Sequence, residues 1–141
     1  MESNVAENHE DIRVLALVRL EQQKRVRRQL APAGVSIDFI VKAADVSGLA
    51  LSPKTYQVAL LPASLPNNDW WSLWGQFALL SPRPEILVYA QTASFQLWSG
   101  VLDLGGYDVI VEPFTDEELQ AAVLLAARSF EERRRNENGL Q

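Results

Sequence analysis

The stretch LDLGGYDVIVEPFTDEELQAAV, residues 102–123, contains a helix end, a tight turn, a strand, a corner and the start of a further helix. Gly105-Gly106 stops the first helix, because glycine takes the left-handed conformation that closes a last turn without steric cost. Val109-Ile110-Val111 is a short β-branched run, the composition of a strand covered on both faces. Pro113-Phe114 turns the chain, and Thr115 is placed to cap the next helix. Asp116, Glu117 and Glu118 fill its first turn, where acids complement the positive helix end, and Thr115 with Glu118 has the spacing of a capping box.

The same alternation runs back through the chain. Val14 to Val18 is an uninterrupted apolar run and the first strand. Leu20 to Leu30 has helical spacing, with Lys24, Arg25, Arg27 and Arg28 on its outer faces, and Pro32 and Gly34 end it. Val35 to Val41 suggests an edge strand, and Ala43 to about Leu51 a second helix interrupted by Gly48. Tyr56 to Leu61 is the third and central strand, followed by a loop from Pro62 to Asp69 that holds two prolines. Asp69 caps a helix to about Leu80 that carries Trp70, Trp71, Trp74 and Phe77. Ile86 to Tyr89 is the fourth strand and Thr92 to Leu104 the fourth helix. Strands and helices alternate at intervals of about 20 to 25 residues, which predicts parallel strands joined by right-handed crossovers. Residues 1–11 read as a flexible lead-in, 12–131 as the domain, and 132–141 as a charged tail whose last half frays.

Composition narrows the function classes. A chain of 141 residues is one domain, and 48% apolar with 22% charged residues is ordinary for a globular protein. The absence of cysteine excludes disulfides, thiol catalysis and thiolate metal sites. The single histidine, His9, lies in a polar N-terminal segment and cannot build a histidine-based zinc site or a catalytic triad. A net charge of -5 argues against wholesale nucleic-acid binding. No apolar run is long enough to span a bilayer, and the polar, acidic N-terminus is neither a signal nor a transit peptide, so a cytoplasmic location is expected.

From Arg13 to Phe130 the chain resembles the receiver domains of bacterial response regulators. The resemblance rests on Leu65-Pro66 and Asp69 after the third strand, and on Gly105, Asp108 and Pro113-Phe114 in the closing unit. It implies a five-stranded parallel sheet in the order 2-1-3-4-5 with helices on both sides, a doubly wound, flavodoxin-like fold. The family's chemistry does not follow. The acidic pair that holds magnesium falls on Leu17-Val18 or on Val18-Arg19, and neither option supplies a carboxylate. The phosphoacceptor aspartate falls on Pro62, the phosphoryl-sensing hydroxyl on Ala90, the switch aromatic on Val109 and the lysine on Glu112. The chain thus looks like a pseudo-receiver: not an enzyme, without metal or cofactor, a signalling or adaptor domain that works through contact with another protein. The rival reading is a small-ligand sensor that uses the altered pocket at the C-terminal edge of the sheet.

Other features invite two readings each. Trp71, Trp74 and Phe77 have the helical spacing of core residues. Trp70, where the family usually has glycine, is either an exposed contact or a lid over the old pocket. The basic clusters Lys24-Arg25-Arg27-Arg28 and Arg128 with Arg133-Arg134-Arg135 either complement helix dipoles or form a patch for an acidic partner or a nucleic-acid backbone. Trp98, with Glu117, Glu118, Arg128 and Glu131, would support a homodimer through the fourth helix, fifth strand and fifth helix, unless Trp98 is core. Finally, Arg19 and Glu112 would attract one another across the old pocket with the family's charges reversed, or Arg19 would instead pair with Glu21 in solvent.

Overall fold

The computed structural model describes residues 12–42, 44–49, 54–63 and 69–139. Five strands, β1 (Arg13–Leu17), β2 (Ser36–Ile40), β3 (Val58–Pro62), β4 (Glu85–Ala90) and β5 (Asp108–Val111), form one sheet in the order β2-β1-β3-β4-β5. Every neighbouring pair is parallel. The helices between and after them are α1 (Leu20–Leu30), α2 (Ala44–Leu49), α3 (Asp69–Ala78), α4 (Phe95–Asp103) and α5 (Asp116–Gly139). The expected doubly wound sheet in 2-1-3-4-5 order is therefore what the chain forms.

Two-residue alternation along each strand divides the core into two layers. Val14, Ala16 and Val18 of the β1 run join Val58, Leu60, Leu87 and Tyr89 beneath α1 and α5, where Val26, Leu30, Leu119, Val123 and Ala127 close the layer. Leu15 and Leu17 point the other way, with Ala59, Leu61, Ile86 and Val88, against Val46 of α2, Leu73, Trp74 and Phe77 of α3, and Val101 of α4. Trp74 and Phe77 are thus core, as their spacing implied. The side chain of Trp71 lies outside the described residues. Removing a ring such as Phe77 or Phe130, each buried to within 1% of its surface, would cost about 3 to 5 kcal/mol.

Helix ends follow local chemistry closely. The Thr115 amide donates to Glu118 Oε1 at 2.9 Å and the Glu118 amide to Thr115 Oγ1 at 3.0 Å, which is the reciprocal capping box. α1 ends in a 3₁₀ turn, Ala31–Ala33, and Gly34 follows at φ 74°. At the end of α4, the Gly105 amide donates to the Leu102 carbonyl at 3.0 Å and the Gly106 amide to the Val101 carbonyl at 2.8 Å. With Gly105 at φ 92°, this is a Schellman stop. The second glycine has a different reason: a Cβ on Gly106 would lie 2.5 Å from Val101 Cγ1 and 3.0 Å from Trp74. Its bareness lets α4 and α3 close on the turn.

Several boundaries differ from the sequence reading. β3 begins at Val58 rather than Tyr56; just before it, Gln57 accepts the Arg13 amide on its side-chain Oε1 at 2.7 Å and Tyr56 donates its hydroxyl to Asp38 at 2.7 Å. Gly48 does not break α2, which includes it. Residues 132–139 of the expected charged tail belong to α5, which continues unbroken to Gly139, and residues 140–141 lie outside the described residues. Phe130 is buried, the guanidiniums of Arg133 and Arg134 lie over its ring at 5.3 and 5.7 Å, and Arg133 donates to the Arg83 carbonyl. Those contacts hold the helix beyond residue 131.

The two glycines of α4 and its stop give a paired prediction. Gly106→Ala should destabilise the protein by about 1 to 3 kcal/mol through overpacking. Gly100→Ala, in a helix position with no atom near its missing Cβ, should stabilise it by roughly 0.5 to 1 kcal/mol. Urea unfolding midpoints of the two variants should move in opposite directions.

A candidate functional site at the carboxyl ends of the strands

Parallel strands all deliver their last residues to one edge, and an open α/β sheet binds ligands there, where strand order reverses. In this chain Leu17, Pro62 and Ala90 are the last residues of β1, β3 and β4, and Glu112 follows the last residue of β5. These four, with Arg19, Ala63, Tyr89, Gln91, Thr92, Ser94 and Leu97, line a cleft of about 620 Å³. The strand ends are held level by bonds across their tips: the Ala63 amide donates to the Tyr89 carbonyl and the Glu112 amide to the Ala90 carbonyl, both at 2.8 Å.

Arg19, Pro62, Ala90 and Glu112, all assigned to the old pocket from the sequence, therefore meet in one cleft with Leu17. Val18 does not. It is turned to the opposite side, buried among the residues under α1 and α5. The alternation that sends Val18 into the core sends Leu17 and Arg19 to the cleft, so both candidate registers for the acidic pair put only apolar or cationic groups there. Of the two partners open to Arg19, Glu112 and Glu21, the first is not taken. Arg19 Nε instead lies 3.5 Å from Glu21 Oε2, with both side chains more than 60% exposed. Arg19 precedes the first turn of α1 with extended backbone, and Glu21 is the acid within nearest reach. An exposed pair of this kind contributes about 0 to 1 kcal/mol.

Tyr89 is the functional-edge residue that sequence reasoning missed. Its hydroxyl donates to the Leu17 carbonyl at 2.9 Å, reaching from β4 across the end of β3 to β1. Burial pushes its phenol up to about 12, with the Glu112 carboxylate adding to the effect and the Arg19 guanidinium opposing it. A polar-tipped aromatic in the otherwise apolar run Ile86–Ala90 was the available signal. The remaining cleft groups are the Gln91 amide, the Thr92 and Ser94 hydroxyls and the Glu112 carboxylate. Ser94 is already committed, accepting the Leu97 amide at 3.1 Å as the cap of α4. Among the described residues no group of three histidine, cysteine, aspartate or glutamate side chains is placed to hold a metal ion.

The residues assigned to an interface are not equivalent. Trp98 is 43% exposed and its ring centroid lies 6.2 Å from that of Phe95, itself 76% exposed, so Trp98 is not core. Val111 on β5 and Leu124 and Leu125 on α5 are also exposed. Glu117 is exposed, Glu118 is used in the capping box, and Arg128 pairs with Glu132 one turn along at 3.5 Å. Trp70 lies within α3, but its side chain is outside the described residues, as are Leu65 and Pro66. The two basic clusters do not merge. Arg27 of α1 lies over the ring of Phe39 on edge strand β2, whereas Gln29 meets α5 near its start, where Gln120 donates to the Gln29 carbonyl. Arg133 lies 13 residues farther along, about 20 Å at the helical rise.

No protein-family model matches the sequence, and no curated protein matches it. Solved structures do match in fold. A signal receiver domain from Vibrio parahaemolyticus is 14% identical, with a TM-score of 0.74 over 86% of this chain and 94% of its own. A CheY-like response regulator receiver domain protein from Methanospirillum hungatei is 16% identical at a TM-score of 0.72, covering 86% and 98%. A two-component response regulator from Clostridium difficile is 23% identical at 0.69, covering 83% and 96%. The chain has the receiver fold over nearly all of each neighbour's length. No helix among the described residues is long and apolar enough to cross a membrane.

Tyr89→Phe should cost about 1 kcal/mol at neutral pH, since it leaves the Leu17 carbonyl without its donor. The Tyr89 pKa is raised in the fold from 10 to about 12, so its contribution is fully present below pH 10 and lost as pH rises through about 12. The stability gap between parent and variant, read from urea midpoints, should therefore shrink across that window.

Proposed function

We propose that this is a receiver-like signalling or adaptor domain that acts without phosphoryl transfer, through contact with other proteins. The observation that carries the reading is the composition of the strand ends in the cleft. Pro62, at the end of central strand β3, has no side-chain oxygen to attack phosphorus, and the end of β1 supplies no carboxylate for a hard dication. Glu112 would repel phosphoryl oxygens, and the Tyr89 hydroxyl is already bonded to the Leu17 carbonyl. These groups support no catalytic role, and the domain is proposed not to be an enzyme. Incubation with acetyl phosphate, or with beryllofluoride and magnesium, should leave both mass and amide NMR spectrum unchanged. An adduct on any cleft residue would refute the reading.

The contact surface proposed is that of α4, β5 and α5, used for a homodimer. It is supported by exposed apolar side chains on all three elements, with the Phe95–Trp98 pair the largest. Large aromatics are favoured at interface centres, and two-fold dimers are the commonest closed assembly. Sedimentation equilibrium should show self-association that Trp98→Ala weakens by at least about tenfold, the loss of a well-buried interface aromatic. A strict monomer at high concentration would remove the dimer and leave contact with a different protein.

The cleft volume favours a second reading, a sensor of a small ligand. About 620 Å³ lies within the range of small-molecule sites, and Glu112 would suit a cationic group better than an anion. Thermal shift against a metabolite panel separates the two, since only a sensor gains stability from a low-molecular-weight ligand.

A further inference from the structure

A second groove lies at the opposite edge of the sheet, where strands begin. Ser81, Pro82 and Arg83 immediately precede β4, and α5 passes the same level, with Ser129 Oγ donating to Glu85 Oε2 at 2.7 Å. One turn farther, Arg133 and Arg134 face Arg83 across a cavity of about 500 Å³ that they line with Ser81, Pro82 and Glu137. The arginines are held in place. Arg133 and Arg134, three and four residues after Phe130, both place a guanidinium over its buried ring, and Arg133 donates to the Arg83 carbonyl. The Arg83 guanidinium packs beside Gly105, 3.4 Å from where a Cβ would stand.

Three arginines thus line one groove in a protein whose net charge is -5. Among the described residues, none of the three forms an ion pair with a carboxylate, although Glu137 stands one turn from Arg133. Like charges gathered without acid partners repel one another, and an anion bridging them removes that repulsion. The planar guanidinium fork matches phosphoryl oxygens bidentately. The groove has a net formal charge of +2, three arginines against Glu137, and three guanidinium forks can engage six oxygens where a single phosphate offers four. The ring of Phe130 is covered and offers no open face on which a base could stack. A long polyanion would meet the acidic remainder of the surface.

We propose that the groove of Arg83, Arg133 and Arg134 binds a small anion bearing two or more adjacent phosphoryl groups, of which inorganic diphosphate is the simplest. The test is an amide NMR titration of the full chain with inorganic diphosphate, alongside orthophosphate and a single-stranded oligonucleotide. Diphosphate should shift amides of residues 81–85 and 133–137 saturably, and bind at least about tenfold more tightly than orthophosphate, as a second charge-assisted contact implies. Arg83→Gln and Arg134→Gln, which remove no hydrogen bond seen in the fold, should each weaken it by about tenfold. Glu137→Gln should tighten it, an effect that a purely structural role for the arginines would not produce. Absence of saturable shifts with diphosphate, equal affinity in the arginine variants, or binding of the oligonucleotide alone would overturn the proposal.

Discussion

Burial of both faces of a parallel sheet is the constraint on which this molecule depends. A strand covered on two sides must be apolar at every position, and β1, β3 and β4 meet that demand almost without exception. The polar exceptions are tied. Gln57 answers the Arg13 amide, Glu85 accepts from Ser129, and the Tyr89 hydroxyl reaches the Leu17 carbonyl. Asp38 on edge strand β2 accepts from Tyr56 and Lys54, at 2.7 and 3.3 Å. Gln29 is less complete: its amide nitrogen donates to the Phe114 carbonyl, while its buried Oε1 has no partner among the described residues. An unmade bond of that kind costs about 1 to 3 kcal/mol, which the packing of α1 against α5 must outweigh.

The two edges of the sheet carry different chemistry for a simple reason. Residues at strand ends are free of the two-face burial rule, so their identity can change without disturbing the layers behind them. At the carboxyl edge of this receiver-like fold, Leu17, Pro62, Ala90 and Glu112 are the groups that the strands deliver to the cleft. Tyr89 strengthens the edge mechanically by linking β4 to β1 across β3. At the amino edge, the length of α5 decides the outcome. Because Phe130 anchors the helix on the core, its next turn projects past the strands and brings Arg133 and Arg134 to Arg83.

Much of this was readable along the chain. The capping box at Thr115 and Glu118, the glycine stop at Gly105 and the α1 limits Leu20–Leu30 all follow from local rules acting over a few residues, whereas the strand order came from the resemblance to receiver domains. Such rules depend on spacing and on backbone preference, which sequence carries directly. The convergence of Arg19, Pro62, Ala90 and Glu112 was also legible, because parallel topology sends every strand end to the same edge.

What needed the tertiary structure were the choices between neighbours in space. Arg19 had two acids to choose from, and only the path of the chain into α1 put Glu21 nearer than Glu112. Trp74 and Trp98 have the same composition and similar helical settings, yet α3 packs one under Gly106 and α4 leaves the other beside Phe95 in solvent. The arginines after Phe130 read as a basic cluster at a helix end, since nothing in their own segment could reveal a buried ring behind them and Arg83, 50 residues away, in front. Composition and periodicity determined the layers of this protein. Long-range packing determined which side chains face each other across them.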